Sequence, residues 1–106
     1  MYVLINDPTD APQLVDIDNF RAFHLVVSSA LNEEALDGYL RRHSIGHASD
    51  GHGFIRETAL PELAGSHADD AWRTQLGDMV RYAQGKGWWD ASTASLRAHI
   101  EALPDA

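Results

Sequence analysis

One long amphipathic segment, residues 66–89, constrains the fold of this chain more than any other stretch. Ser66 is a candidate N-cap, and Gly85 or Gly87 can end a helix in the left-handed conformation. The large apolar residues between them recur at the three- and four-residue spacing of one helix face. They are Trp72, Leu76, Met79, Val80 and Ala83. The pattern predicts a helix over residues 67–86 whose apolar face packs into the core.

Two adjacent tryptophans, Trp88 and Trp89, follow this predicted helix directly. Consecutive residues project in different directions, so only one of the two rings can pack beside Trp72. A large apolar ring that remains at the surface usually marks a contact site. We therefore expect either Trp88 or Trp89 to belong to an interface, and the sequence leaves open which of them it is.

Length and cysteine content limit the possible classes of protein. A chain of 106 residues is long enough for one core, which predicts a single domain over residues 1–106. The absence of cysteine excludes disulfides, a thiolate nucleophile and a cysteine-ligated zinc site. No stretch approaches the roughly 18 apolar residues of a membrane span, so we expect no membrane insertion. Abundant arginine and alanine favour a bacterial source, and a cytoplasmic location is the simplest expectation.

The charge balance is acidic, with 16 acidic residues against 8 basic ones and a formal net charge of −8. Such a surface repels phosphate backbones, so we expect no nucleic-acid binding. The motifs of P-loop enzymes, dinucleotide-binding proteins, serine hydrolases and zinc proteases do not occur in the sequence. The chain therefore predicts no catalytic residues, no cofactor and no metal.

Most of the remaining chain reads as short strands followed by helices. Strands are expected near 2–5, 14–17, 20–27, 44–48 and 52–56, and helices near 31–43, 57–64, 67–86 and 92–103. Asp18-Asn19 and Asp50-Gly51 are candidate hairpin turns, each between two of these strands. The order of elements predicts a two-layer α+β fold with a small, mostly antiparallel sheet.

The last predicted helix depends on four residues with helical spacing, which are Leu96, His99, Ile100 and Leu103. This spacing places His99 on an apolar helix stripe. A lone histidine on such a stripe is usually a core or boundary residue with one hydrogen bond.

One stretch between residues 41 and 56 carries a candidate ligand-binding cluster. Its members are Arg41, Arg42, His43, His47, His52 and Arg56. A two-residue turn at Asp50-Gly51 would place His47 and His52 diagonally on one hairpin face, with His43 or Asp50 as a third metal ligand. The neighbouring arginines repel a cation and can instead receive an anion. In the alternative interpretation, Arg41 and Arg42 only complement the C-terminus of their own helix.

Two functional hypotheses follow from these patterns. The first is a non-catalytic module that binds a protein partner or itself, as a homodimer that uses the exposed tryptophan or the second face of the sheet. The second is a small enzyme, or a ligand- or metal-binding protein, that uses the cluster at residues 41–56. We favour the first hypothesis, because no catalytic motif accompanies the cluster.

Overall fold

The computed structural model describes residues 1–103, in which one mixed sheet of seven strands is packed with three α-helices. Residues 104–106, the end of the predicted single domain, lie outside the described part. The strands are β1 (Tyr2–Ile5), β2 (Gln13–Val15), β3 (His24–Val27), β4 (Gly46–Ser49), β5 (His52–Arg56), β6 (Trp89–Asp90) and β7 (Ser95–Ala102). The helices are α1 (Glu33–Arg42), α2 (Ala59–Ala64) and α3 (Asp70–Lys86). The predicted α+β class is therefore confirmed.

The strands lie in the order β2-β1-β3-β7-β5-β4, and the short β6 pairs with β7. β1 and β3 are parallel, as are β3 and β7, whereas the other pairs are antiparallel. The expectation of a mostly antiparallel sheet is thus wrong. Parallel neighbours need long crossover connections, and local residue patterns do not reveal which distant strands such connections bring together.

The predicted helix over residues 92–103 is wrong, because residues 95–102 form the central strand β7. Buried Leu96 and Ala98 alternate there with exposed Arg97 and His99. Two of the apolar residues that suggested a helix, Leu96 and Ile100, are four positions apart, a spacing that also fits every second position of a strand. The residues form a strand because β7 pairs with β3 on one edge and with β5 on the other.

The predicted hairpin of residues 14–17 and 20–27 is also wrong. β2 pairs antiparallel with β1, and β3 starts only at His24 and pairs parallel with β1. The intervening residues turn, with Asp16 at a positive φ of 54° and its carbonyl oxygen accepting a 3.0 Å hydrogen bond from the Asn19 N–H. The aromatic residues that suggested a longer second strand, Phe20 and Phe23, instead pack against the core from the turn.

The predicted hairpin at Asp50-Gly51 is confirmed. Ser49 pairs with His52 across the turn, and His47 pairs with Phe54. Asp50 and Gly51 have positive φ angles of 53° and 78°, as the favoured two-residue hairpin turn requires.

The long helix α3 carries the predicted core stripe, since all five residues of that stripe are buried. Its N-cap is Asp69 and not Ser66, because the Asp69 carboxylate accepts the Trp72 backbone N–H at 2.8 Å. Ser66 lies in the preceding 3₁₀ turn, Gly65–His67. Gly87 ends the helix in the left-handed conformation, one of the two predicted positions.

The two shorter helices form inside their predicted ranges. Asn32 caps α1 by accepting the Ala35 backbone N–H at 2.8 Å, and two glutamates follow in the first turn, where the helix dipole favours them. Pro61 lies near the start of α2, where its missing N–H costs no helical hydrogen bond. Among residues 1–103, no helix is sufficiently long and apolar to cross a membrane.

Candidate functional site

The sheet has one covered face and one open face. On the covered face, residues such as Val3, Leu25, Ile55 and Ala98 are buried in one core with the apolar sides of the helices. Apart from the buried Ser95, strand residues of the opposite parity are half-buried or exposed. We call this second set the open face: Tyr2, Leu4, His24, Val26, His47, His52, Phe54, Arg97, His99 and Glu101.

A row of three histidines crosses the middle of the open face. His99 on β7 pairs with His24 on β3 and with His52 on β5. Directly paired residues on adjacent strands hold their Cβ atoms about 5 Å apart, so the three histidine side chains start close together. With His47 on β4, the open face carries four of the six histidines of the chain.

The imidazoles of the open face make separate contacts. His24 stacks on Tyr2 with a centroid distance of 5.1 Å, and its Nε2 lies 3.5 Å from a carboxylate oxygen of Glu101. Nδ1 of His52 lies 3.2 Å from the carbonyl oxygen of Asp50. The ring of His47 stacks in parallel on Phe54 at 4.8 Å. Within residues 1–103, no group of three or more histidine, aspartate or glutamate side chains could hold a metal ion.

The six residues of the predicted ligand-binding cluster lie on different elements of the structure. Arg41, Arg42 and His43 lie at the C-terminal end of α1, where basic side chains complement the helix. His47 and His52, in contrast, belong to the open face of the sheet.

Each basic or imidazole group at the end of α1 has a local contact. The Arg41 Nε donates to the carboxylate of Asp37 at 3.0 Å. The Arg42 guanidinium lies 5.6 Å from the Tyr39 ring centroid, and the His43 ring packs on the same tyrosine at 4.3 Å. The last member of the predicted cluster, Arg56, donates to the carbonyl oxygen of Ser44.

The tryptophan pair divides as expected into one exposed ring and one packed ring. Trp88 is 42% exposed and meets Tyr82 edge to face at 6.1 Å. Trp89 pairs with Leu96 in the sheet and packs against the core. The candidate interface residue of the pair is therefore Trp88.

A notch in the sheet lies beside Trp88. β3 pairs with β7 from His99 onward, and β6 pairs with β7 at Ser95 and Leu96. β5 occupies the other edge of β7 over residues 95–99, so β3 and β6 share one edge and leave a gap between them. In this gap the Arg97 backbone N–H donates to the Trp88 carbonyl oxygen at 3.0 Å.

The notch opens into a cavity of about 300 Å³, which we call the Arg97 cavity. Four aromatic side chains line it, and they are Phe20, Phe23, Tyr82 and Trp88. Arg21 and Arg97 supply its cationic side chains. A smaller cavity of about 220 Å³ shares Phe23, Trp88 and Arg97 with it and continues to His52 and His99 of the histidine row.

Sequence reasoning missed this cavity. Arg97 was assigned to a helix, and Arg21 to a strand that does not form. The alternation of apolar and polar residues over 95–101 is a signal that could have placed Arg97 on a strand face. No local pattern indicates that residues 20–23 meet residues 88 and 97.

No protein-family model matches this chain, and comparisons with curated proteins and with solved structures give no significant match. Functional inference therefore depends on the open face, the Arg97 cavity and the residues that form them.

Proposed function

We propose that this chain is a non-catalytic association module that binds a second copy of itself through the open face of its sheet. One observation carries the proposal: the helices cover one face of the sheet and leave Tyr2, Leu4, Val26 and Phe54 only half-buried on the other. An antiparallel or mixed sheet with apolar side chains on its free face gains stability when another layer covers it. We further propose that such a module acts as an accessory or regulatory protein in a bacterial cytoplasm.

The distribution of charge favours a second copy as the partner at this face. The open face carries Arg97 and Glu101. Arg56 and Asp90, at the ends of β5 and β6, share its side of the sheet. The formal charges of these two arginines and two acids cancel. The whole chain, in contrast, carries −8. Two copies that meet through the open face therefore bring no net like charge into contact, and salt screens the remaining charges beyond a Debye length of about 8 Å.

The size of the open face predicts a weak dimer. Six strands spaced about 4.8 Å apart and about five residues long give a face of roughly 29 by 16 Å. This face is smaller than the area of about 800 Å² that each partner buries in a standard interface. Interfaces below the standard size are typical of transient complexes. Trp88 lies at the edge of this face and enlarges it. We therefore expect a reversible dimer with a micromolar dissociation constant.

Sedimentation velocity tests the proposal over a concentration series. The parent should shift from the 11.7 kDa monomer towards twice that mass as its concentration rises. Val26→Glu and Val26→Lys each place a charge in the centre of the open face and should keep the chain monomeric. Gln75→Glu, at an exposed position of α3, is the matched control and should dimerise as the parent does.

Two results would contradict self-association through the open face. One is a parent that stays monomeric up to about 100 µM, well above the expected dissociation constant. The other is a pair of Val26 variants that remain folded, by circular dichroism, and still dimerise with parental affinity.

A further inference from the structure

The Arg97 cavity is lined by two arginines whose side chains make no contact within residues 1–103. Six of the eight lysine and arginine side chains have a contact within residues 1–103: Arg41 and Arg81 pair with aspartates, Arg56 and Arg73 donate to carbonyl oxygens, and Arg42 and Lys86 lie over tyrosine rings. In the same part of the chain, Arg21 and Arg97 make no such side-chain contact. Both line the Arg97 cavity.

The chain has twice as many acidic as basic residues, yet few acids lie near these two arginines. The lining of the cavity contains one acid among the described residues, Glu101, and its carboxylate faces His24 at 3.5 Å. Both guanidinium groups therefore keep their hydrogen-bond donors available for an anion from outside the chain.

The walls of the cavity define the rest of the ligand. Phe20, Phe23, Tyr82 and Trp88 present aromatic surface, and such rings pair with a planar aromatic group in stacked or edge-to-face geometry. A volume of about 300 Å³ lies at the lower end of the usual range for small-molecule sites.

The backbone of Arg97 is fixed within the sheet. Arg97 pairs with Phe54 on β5. On the opposite edge of β7, the backbone N–H of Arg97 donates a hydrogen bond to the Trp88 carbonyl oxygen. Arg21 extends from the turn that also carries Phe20, whose ring packs against the buried Trp72 at 5.7 Å. The scaffold therefore fixes the backbone positions from which both arginine side chains extend.

We propose that the Arg97 cavity binds a small aromatic anion, with the ring between the aromatic walls and a carboxylate or phosphate head at Arg21 and Arg97. The planar fork of arginine suits both kinds of head group. This site is separate from the cluster at residues 41–56, none of whose members lines the cavity.

Isothermal titration calorimetry with three matched probes tests this inference. 2-Naphthoate and 2-naphthyl phosphate carry the two candidate heads, and 2-naphthamide is the neutral isostere of the first. At least one anion should bind with a dissociation constant of about 1 mM or lower, and the amide about tenfold more weakly. The tighter of the two anions identifies the preferred head group.

Three arginine-to-glutamine variants test whether the anion binds in the Arg97 cavity. Arg21→Gln and Arg97→Gln each remove one charge from an exposed side chain and should weaken binding of the preferred anion about tenfold. Arg42→Gln makes the same change on α1 and should leave the affinity unaltered. Thermal melting of each variant establishes that it is folded.

Three results would overturn the proposal: no binding of either anion, equal binding of the amide, or parental affinity in both cavity variants. The association test uses Val26, whereas this titration uses the two arginines. The two proposals can therefore fail separately.

Discussion

The indole Nε1 of Trp72 donates a 3.0 Å hydrogen bond to the carbonyl oxygen of Ile17, which lies 55 residues earlier in the chain. The same indole meets the ring of Phe20 at 5.7 Å, so α3 holds the turn between β2 and β3 through one side chain. That turn carries Phe20 and Arg21 into the lining of the Arg97 cavity. A core residue of the long helix thus positions part of the candidate site.

We predict that Trp72→Ala destabilises the fold by about 3–5 kcal/mol, because a buried ring of this size leaves a cavity that cannot close. Trp72→Phe keeps an aromatic ring but leaves the Ile17 carbonyl oxygen without its donor, and should cost about 1–3 kcal/mol. Urea unfolding measures both free energies. A Trp72→Ala variant that melts within a degree or two of the parent would be incompatible with the described packing of α3.

The adjacent tryptophans should respond differently to the same substitution. Trp89→Ser removes a ring that packs on the core, so we expect a lower melting temperature. Trp88→Ser removes a ring that is 42% exposed, so the fold should persist while self-association weakens. Circular dichroism and sedimentation velocity together separate the two effects. Equal destabilisation by both variants would refute this division of roles.

Two glycines provide a matched test of backbone packing. A Cβ at Gly46 would overlap the backbone carbonyl oxygen of Phe54 on the paired strand, so Gly46→Ala should destabilise the fold by about 1–3 kcal/mol. Gly38 lies in α1, and a Cβ there would meet open space. Gly38→Ala should therefore stabilise the fold by about 0.4–1 kcal/mol. Chemical unfolding that gives the two changes the same sign would contradict the β4–β5 pairing.

Asp37 should make stability depend on pH. The Ala48 backbone N–H donates to its carboxylate at 2.9 Å and lowers the pKa of Asp37, with a further contribution from Arg41. A lowered folded-state pKa gives a contribution that is present above the ordinary value of about 3.9 and is lost as the pH falls through the folded value.

Asp37→Asn should therefore lower the melting temperature at pH 7, and the difference from the parent should shrink towards pH 2. Asp50→Asn is the control, because asparagine also tolerates the left-handed conformation of that turn position. A difference between the Asp37 variant and the parent that stays constant from pH 7 to pH 2 would exclude this linkage.

The sequence by itself determined the features whose causes lie within a few residues. The stripe of α3 follows from helical spacing, the Asn32 cap from its side-chain acceptor, and the Asp50-Gly51 hairpin from the positive φ angles that these residues tolerate. The hairpin also placed His47 and His52 on one face, as expected from the two-residue turn. Local hydrogen bonds and dihedral preferences act before any tertiary contact forms.

Only the tertiary structure decided the order of the strands, the identity of β7 and the place of the candidate site. Residues 95–102 fit both a helical and a strand period, and the paired edges of β3 and β5 select the strand. Arg21 and Arg97 lie 76 positions apart in the sequence and meet at one cavity because β3 and β6 share an edge of β7. Pairing between distant strands depends on burial and hydrogen bonding across the whole sheet, which no local pattern contains.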